Sequence, residues 1–364
     1  MIQRTHAVRS RRWNGAKALV AASVATSALA LVTVGAAASA NASSLGKYNV
    51  AFVVGAEADP FFITMNIGAE AAAAKYHVNL IWQGNPSVYS PATQEPIVLQ
   101  VTAELQSLGA KSSALVVGPT DPHALEPYIA DAVKDGIKAF NVDSSDANLS
   151  DVSGFITGNN TEGGQAAAIA LAHSMGYTSG KTYNVVVGMS SATSSTDVAR
   201  LAGFKAEIAS KYPGIKVLDV GYSESSPTTA ATNIHNWLTE FGQGSSKALN
   251  GIFAIDGTNG EGAAAALTAA GLACSVTKCG AGRVALIGYD AYSTNEPYLT
   301  SGVFSALIAQ DPYTEGYQSV VNALSVLKTG HLPAGVQKVT TLPNVTLLPT
   351  SSKAMLAKYV YATA

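Results

Sequence analysis

The sequence predicts an α/β protein made of two doubly wound, Rossmann-like lobes with parallel sheets, and three observations carry that reading. From Tyr48 onward, short apolar runs alternate with amphipathic segments, the pattern of strands and crossover helices that builds a parallel sheet. The pattern completes one layer of four strands and three helices, then starts again after a loop rich in Asp and Ser at 143–151. A chain of 364 residues, 48% hydrophobic and only 13% charged, can bury a large core, and its length suggests two domains.

Residues 1–42 stand apart from the repeat. Arg4, Arg9, Arg11, Arg12 and Lys17 form a basic head, 18–34 is apolar, and small residues follow with candidate cleavage points after Ala40 or Ala42. This is the layout of a secretory signal peptide. Ser10-Arg11-Arg12 allows a twin-arginine route, and the apolar stretch approaches the length of an uncleaved anchor. No cysteine stands near the cleavage region for lipid attachment.

The first series reads as strands at 50–54, 78–82, 114–117 and 138–142, with helices at 61–75, 93–107 and 124–135. The opening strand is short and β-branched, as a buried parallel strand should be, and breaks at Gly55. The second series reads as strand 154–157, helix 162–175, strand 183–187, helix 197–212, strand 216–220, helix 228–241, strand 251–255, helix 261–270 and strand 284–289. A short helix at 296–300, a strand at 304–309, a long helix at 313–328 and an extended tail are too few for a third domain. They are expected to return and complete the first two.

Ligands of open α/β sheets sit beyond the carboxyl ends of the strands. The loop GAEADP at 55–60 leaves such an end and delivers Phe61 and Phe62 to a helix start. Helical neighbours point about 100° apart, so one ring is expected in the core and the other across the loop mouth. Asp143, Asp256 and Asp290 each follow an apolar run at a strand's carboxyl end, where a carboxylate is a poor neighbour for a core unless it binds something. The alternative is that each caps a helix or forms a turn.

Several functions are disfavoured. Removal of 1–42 leaves 17 of the 22 basic residues against 24 acidic ones, a balance of −7, which argues against nucleic acid. The loop at 55–60 lacks G-x-G-x-x-G, no phosphate-binding G-x-x-x-x-G-K-[ST] occurs, and VGMSSAT at 187–193 lacks the second glycine of a nucleophile elbow. The histidines at 6, 77, 123, 173, 235 and 331 form no ligand spacing, and Cys274 and Cys279 match no zinc set. In an exported protein these two cysteines could form one local disulfide or stay as free thiols.

The chain resembles the type I periplasmic sugar-binding proteins of ABC transporters, with the ribose-binding protein as guide, from about Tyr48 to Leu347. The resemblance rests on DPFF at 59–62, NVD at 141–143, GNNTEGG at 158–164, ARLAGF at 199–204, FAIDG at 253–257, IGYD at 287–290 and ALIAQDP at 306–312. It implies lobes formed by 46–158 with 311–338 and by 159–310 with 339–364, joined by three hinge crossings near 157–159, 310–311 and 338–341. It also implies a ligand site made of Asp59, Phe61, Phe62, Asp143, Ser144, Arg200, Asp256, Asp290 and Gln310. Carboxylates and a guanidinium suit hydroxyls that both donate and accept, and ring faces suit C–H surfaces.

The implied function is a non-enzymatic, extracytoplasmic solute-binding protein without cofactor or metal. It would bind a small carbohydrate or polyol between closing lobes and deliver it to ABC permease subunits in the membrane. The alternative is a sugar-sensing receptor that presents its closed form to a signalling partner. The chain departs from the ribose-type pattern at Ser144, where that pattern has arginine, at Asp256, where it has asparagine, and near Ser225, where it has an aromatic. One cation facing up to four carboxylates favours a neutral hydroxyl-rich ligand or one carrying an amine.

Overall fold

The computed structural model describes residues 46–275 and 279–363; the expected export segment, 1–42, lies outside the described residues. The first series contains β1 (Asn49–Val54), α1 (Pro60–Tyr76), β2 (Asn79–Gly84), α2 (Pro91–Gly109), β3 (Ser113–Val117), α3 (Glu126–Lys134), β4 (Lys138–Val142) and β5 (Val152–Gly158). The second contains α4 (Asn160–Ser174), β6 (Tyr183–Met189), α5 (Ser195–Lys211), β7 (Ile215–Tyr222), α6 (Pro227–Glu240), β8 (Leu249–Ala254), α7 (Gly257–Ala269), β9 (Ala285–Tyr289), α8 (Glu296–Thr300) and β10 (Ala306–Ala309). The chain closes with α9 (Pro312–Thr329), β11 (Val339–Leu342), β12 (Val345–Leu347) and α10 (Lys353–Tyr359).

Two six-stranded sheets result, ordered β11-β5-β4-β3-β1-β2 and β12-β10-β9-β8-β6-β7. Every pairing is parallel except β10 with β12, which is antiparallel. Strand β1 shows why the central strands read as unbroken apolar runs. Val50, Phe52 and Val54 face Met65 and Ala69 of α1, while Ala51 and Val53 face Val98, Val101 and Leu105 of α2. With helices on both faces, neither set of alternate side chains meets water.

The returning segments complete both lobes. Helix α9 packs against α1 and the first sheet, β11 extends that sheet beside β5, and β12 extends the second beside β10. The chain thus passes between sheets three times: after β5, after β10, and between β11 and β12.

One sequence-based boundary shifts. Strand β5 pairs with β4 in the first sheet, and Val339–Leu342 pairs with β5 rather than joining the second lobe, so the third crossing falls at Pro343 and Asn344 and not at 338–341. Apolar periodicity marks a strand but not its lateral neighbour, so nothing local distinguishes the two sheets. The structure also pairs Cys274 with Cys279 as a disulfide.

Candidate functional site

The loop after β1 presents its residues through the start of α1. Asp59 is the N-cap, its Oδ1 accepting from the Phe61 backbone N–H at 2.8 Å. The same oxygen accepts from the Tyr292 hydroxyl at 2.6 Å, which reaches across from the second lobe. Phe61 and Phe62 meet edge to face, centroids 5.3 Å apart. Both are buried, at 5% and 3% exposure, and both line the cavity. The expected division into one buried and one presented ring does not hold, because Tyr361 from the chain's tail covers Phe61, 5.9 Å between centroids.

Strands β4 and β9 end alike. Asp143 and Asp290, each directly after its strand, adopt left-handed backbone with φ of 61° and 65°. That conformation costs a non-glycine residue about 1–2 kcal/mol, and such strain concentrates at functional sites. Neither aspartate caps a helix. Asp143 accepts from the Ser144 hydroxyl at 3.2 Å. Asp290 accepts from Gln310 Nε2 at 2.7 Å and from the Tyr361 hydroxyl at 3.1 Å, which ties the second crossing to the site.

Asp256 differs. It does cap α7, accepting from Asn259 N–H and the Thr258 hydroxyl with one oxygen and from the Ser190 hydroxyl with the other. Capping and lining are compatible here, since a strand's carboxyl end and the next helix's amino end meet at the same rim.

Arg200 is the cation of the site and is only 3% exposed. Its helix, α5, lies close to α4 because Gly203 and Gly164 have no side chain: a Cβ at Gly164 would strike the Arg200 carbonyl, and one at Gly203 the Thr161 carbonyl. The guanidinium lies 3.9 Å from the centroid of the Tyr289 ring. Nε donates to Asn160 Oδ1 at 2.8 Å and Nη1 to the Ile255 carbonyl at 3.0 Å. Nη1 also stands 3.8 Å from Asp290 and 4.0 Å from Asp197. None of these contacts uses Nη2.

These groups line one cavity. Of the residues singled out from the sequence, Asp59, Phe61, Phe62, Asp143, Arg200, Asp256, Asp290 and Gln310 line it. Ser144 does not; it is wholly buried behind Asp143. Tyr89, Asp197 and Tyr292 also line it and were not anticipated. Asp197 precedes Arg200 by three residues, one helical turn, and Tyr292 follows Asp290 by two, so both had a local signal. Tyr89 sits in an irregular loop and had none. Tyr89 and Tyr292 supply aromatic lining where Ser225, at the expected aromatic position, cannot.

Hydrogen bonds also cross the cleft from Ser145 N–H to the Ser195 hydroxyl at 3.1 Å and from Ala362 N–H to the Thr64 hydroxyl at 2.8 Å.

Burial raises the carboxyls. Asp59 is pushed up to about 7 by loss of water, opposed by its bonds from Tyr292 and Phe61. Asp197 is likewise pushed up to about 7, by burial and then by the Asp256 charge, against Arg200. Asp143 and Asp290 are raised by burial and pulled back by Arg200. Burial alone would lower the guanidinium, but Asp290 and its other anionic neighbours outweigh it, and Arg200 stays charged.

These shifts give a pH prediction. Carboxyls with a folded pKa near 7 instead of 3.8 keep the folded chain more protonated than the unfolded one across that window, so stability falls as pH rises through it. The ligand-free protein is expected to melt at a lower temperature at pH 8 than at pH 5. Differential scanning calorimetry that finds the reverse would remove this description of the carboxyls.

Two six-stranded lobes enclosing a polar cavity at the carboxyl ends of their strands define a two-lobed binding protein of the α/β class. The chain belongs to the family described as periplasmic binding protein domain, whose model matches residues 50–331. It is similar to the ribose import binding protein of Salmonella typhimurium, 26% identical over 295 residues, 80% of this chain and 88% of that one. It is also similar to the D-ribose/D-allose-binding protein of Pseudomonas aeruginosa, 25% identical over 77% of this chain and 82% of that one.

Among solved structures, an ABC transporter solute-binding protein from Agrobacterium vitis bound with α-D-tagatopyranose is 28% identical, with a TM-score of 0.75 over 86% of this chain and 99% of that one. A carbohydrate transporter solute-binding protein from Agrobacterium radiobacter in complex with D-arabinose shares the fold at 24% identity, with a TM-score of 0.76 over 87% of this chain and all of that one.

Proposed function

We propose that this chain is an extracytoplasmic solute-binding protein of an ABC importer, which closes its two lobes on a small sugar or polyol and delivers it to a membrane permease. The observation that carries the reading is the single cavity lined from both sides of the cleft. Asp59, Phe61, Phe62 and Asp143 come from the first lobe; Arg200, Asp256 and Asp290 come from the second. Carboxylates accept from hydroxyls, Arg200 Nη2 donates to a ring or hydroxyl oxygen, and the phenyl faces cover C–H surface. The names of its relatives point the same way.

In this reading the solute leaves unchanged and the site acts by position alone. The three crossings serve as hinges, ligand on one lobe recruits the other, and the closed form is what the permease recognises. Residues 1–42 direct export, and the mature chain works outside the cytoplasmic membrane. Among the described residues, no helix is long and apolar enough to span a membrane.

A thermal-shift panel of aldoses, ketoses and polyols, with their amino derivatives, tests it. At least one compound is expected to raise the melting temperature at millimolar concentration, because a ligand that binds only the folded state adds RT ln(1 + [L]/Kd). No stabilisation by any member would count heavily against the proposed site.

A further inference from the structure

The charges that line the cavity do not balance. Arg200 is the only Lys, Arg or His among the lining residues, against Asp59, Asp143, Asp197, Asp256 and Asp290. The guanidinium lies within 4.0 Å of Asp197 and Asp290, and Asp143 feels its field. Asp59 feels the charges of Asp290 and Asp256, and its own polar partners are neutral, the Tyr292 hydroxyl and the Phe61 N–H.

The hydrogen bonding leaves acceptors free. Both protein donors to Asp59 use Oδ1, which leaves Oδ2 for a ligand. Asp143, nine-tenths buried, likewise spends only Oδ2, on Ser144. A neutral polyol can satisfy such lone pairs, but it leaves burial to favour the protonated carboxyls, whereas a cation would hold them as charged, hydrogen-bonded partners. A metal ion could, but among the described residues no three acidic, histidine or cysteine side chains converge closely enough to hold one.

Resting on the reading of this cavity as a sugar or polyol site, we propose that the solute is a cation, an amino sugar or amino polyol. Its ammonium group sits at the free Oδ2 of Asp59, in the field of Asp290 and Asp256 of the second lobe, and its hydroxyls lie towards Asp143 and Arg200. An ammonium on Asp59 would also favour closure, since the acidic groups of the second lobe reach it only in the closed form. Anionic sugars, such as uronic acids, would be rejected by the same field.

Isothermal titration calorimetry on ligand-stripped protein, with matched probes, tests this: hexoses, their 2-amino-2-deoxy and N-acetylated forms, alditols, their 1-amino-1-deoxy forms, and hexuronic acids. At least one amine is expected to bind about tenfold or more tightly than both its parent and, where there is one, its acetylated form, the scale of a charge-assisted hydrogen bond. In Asp59→Asn, which keeps a good helix cap, both affinities should fall, but the amine's by about tenfold more than its neutral parent's, so that the advantage collapses. An amine advantage that survives in Asp59→Asn overturns the placement. A neutral parent that binds more tightly than every amine overturns the cation and leaves the solute-binding function standing. Failure of the whole panel overturns that function and this inference together.

Discussion

Replacing Arg200 by alanine is expected to weaken ligand binding by about 10- to 150-fold and to destabilise the empty protein as well. The first effect is the loss of a hydrogen bond from a charged donor, roughly 1.5–3 kcal/mol. The second follows from burial. Arg200 is the positive charge offsetting Asp197 and Asp290 at 3.8–4.0 Å, and removal of one partner from a buried pair costs about 3–5 kcal/mol. Part of that cost is relieved by protonation of carboxyls already raised by burial.

Arg200→Lys separates the two effects. It keeps the charge but loses the fork that reaches Asn160 and the Ile255 carbonyl, together with the flat face on Tyr289. It should recover stability more than affinity. Calorimetry on the three proteins reads both quantities, and an Arg200→Ala variant that binds as tightly as the parent would show that the site has been misplaced.

Replacing Phe61 by alanine is expected to cost about 3–5 kcal/mol of stability, the usual range for a buried phenylalanine. Its ring is 95% covered and is clasped between Phe62 at 5.3 Å and Tyr361 at 5.9 Å. Because Tyr361 belongs to the tail that packs on the second lobe, the same change loosens a contact across the cleft. Phe61→Leu refills most of the volume and should cost much less. If the ring serves as a platform for sugar C–H groups, Leu should restore the melting temperature but not the affinity. A Leu variant with parental affinity would reduce Phe61 to a packing residue.

Much of the fold was legible in the sequence because it is written in local patterns. Strand β4 and helix α8 fall at the residues read from the apolar runs and helix signals, and most other elements differ from that reading by a few residues at their ends. The aspartates after β4 and β9 could be singled out because a carboxylate that ends a buried strand is conspicuous. So could the loop before α1, since strand ends mark where α/β proteins bind. The set of secondary elements, their alternation, and the strand ends at which chemistry collects all follow from local pattern.

Only the assembled fold put β11 in the first sheet, because strand pairing depends on lateral partners distant in the chain and not on periodicity. It turned both phenylalanines inward by bringing Tyr361 from some 300 residues away, and it set Ser144 behind Asp143 instead of beside it. It also added Tyr89, Asp197 and Tyr292 to the cavity and left Arg200 as the one Lys, Arg or His among the residues that line it. Side-chain direction and the balance of charge across a cleft are properties of assembled neighbours, and folding, not local sequence, brings those neighbours together.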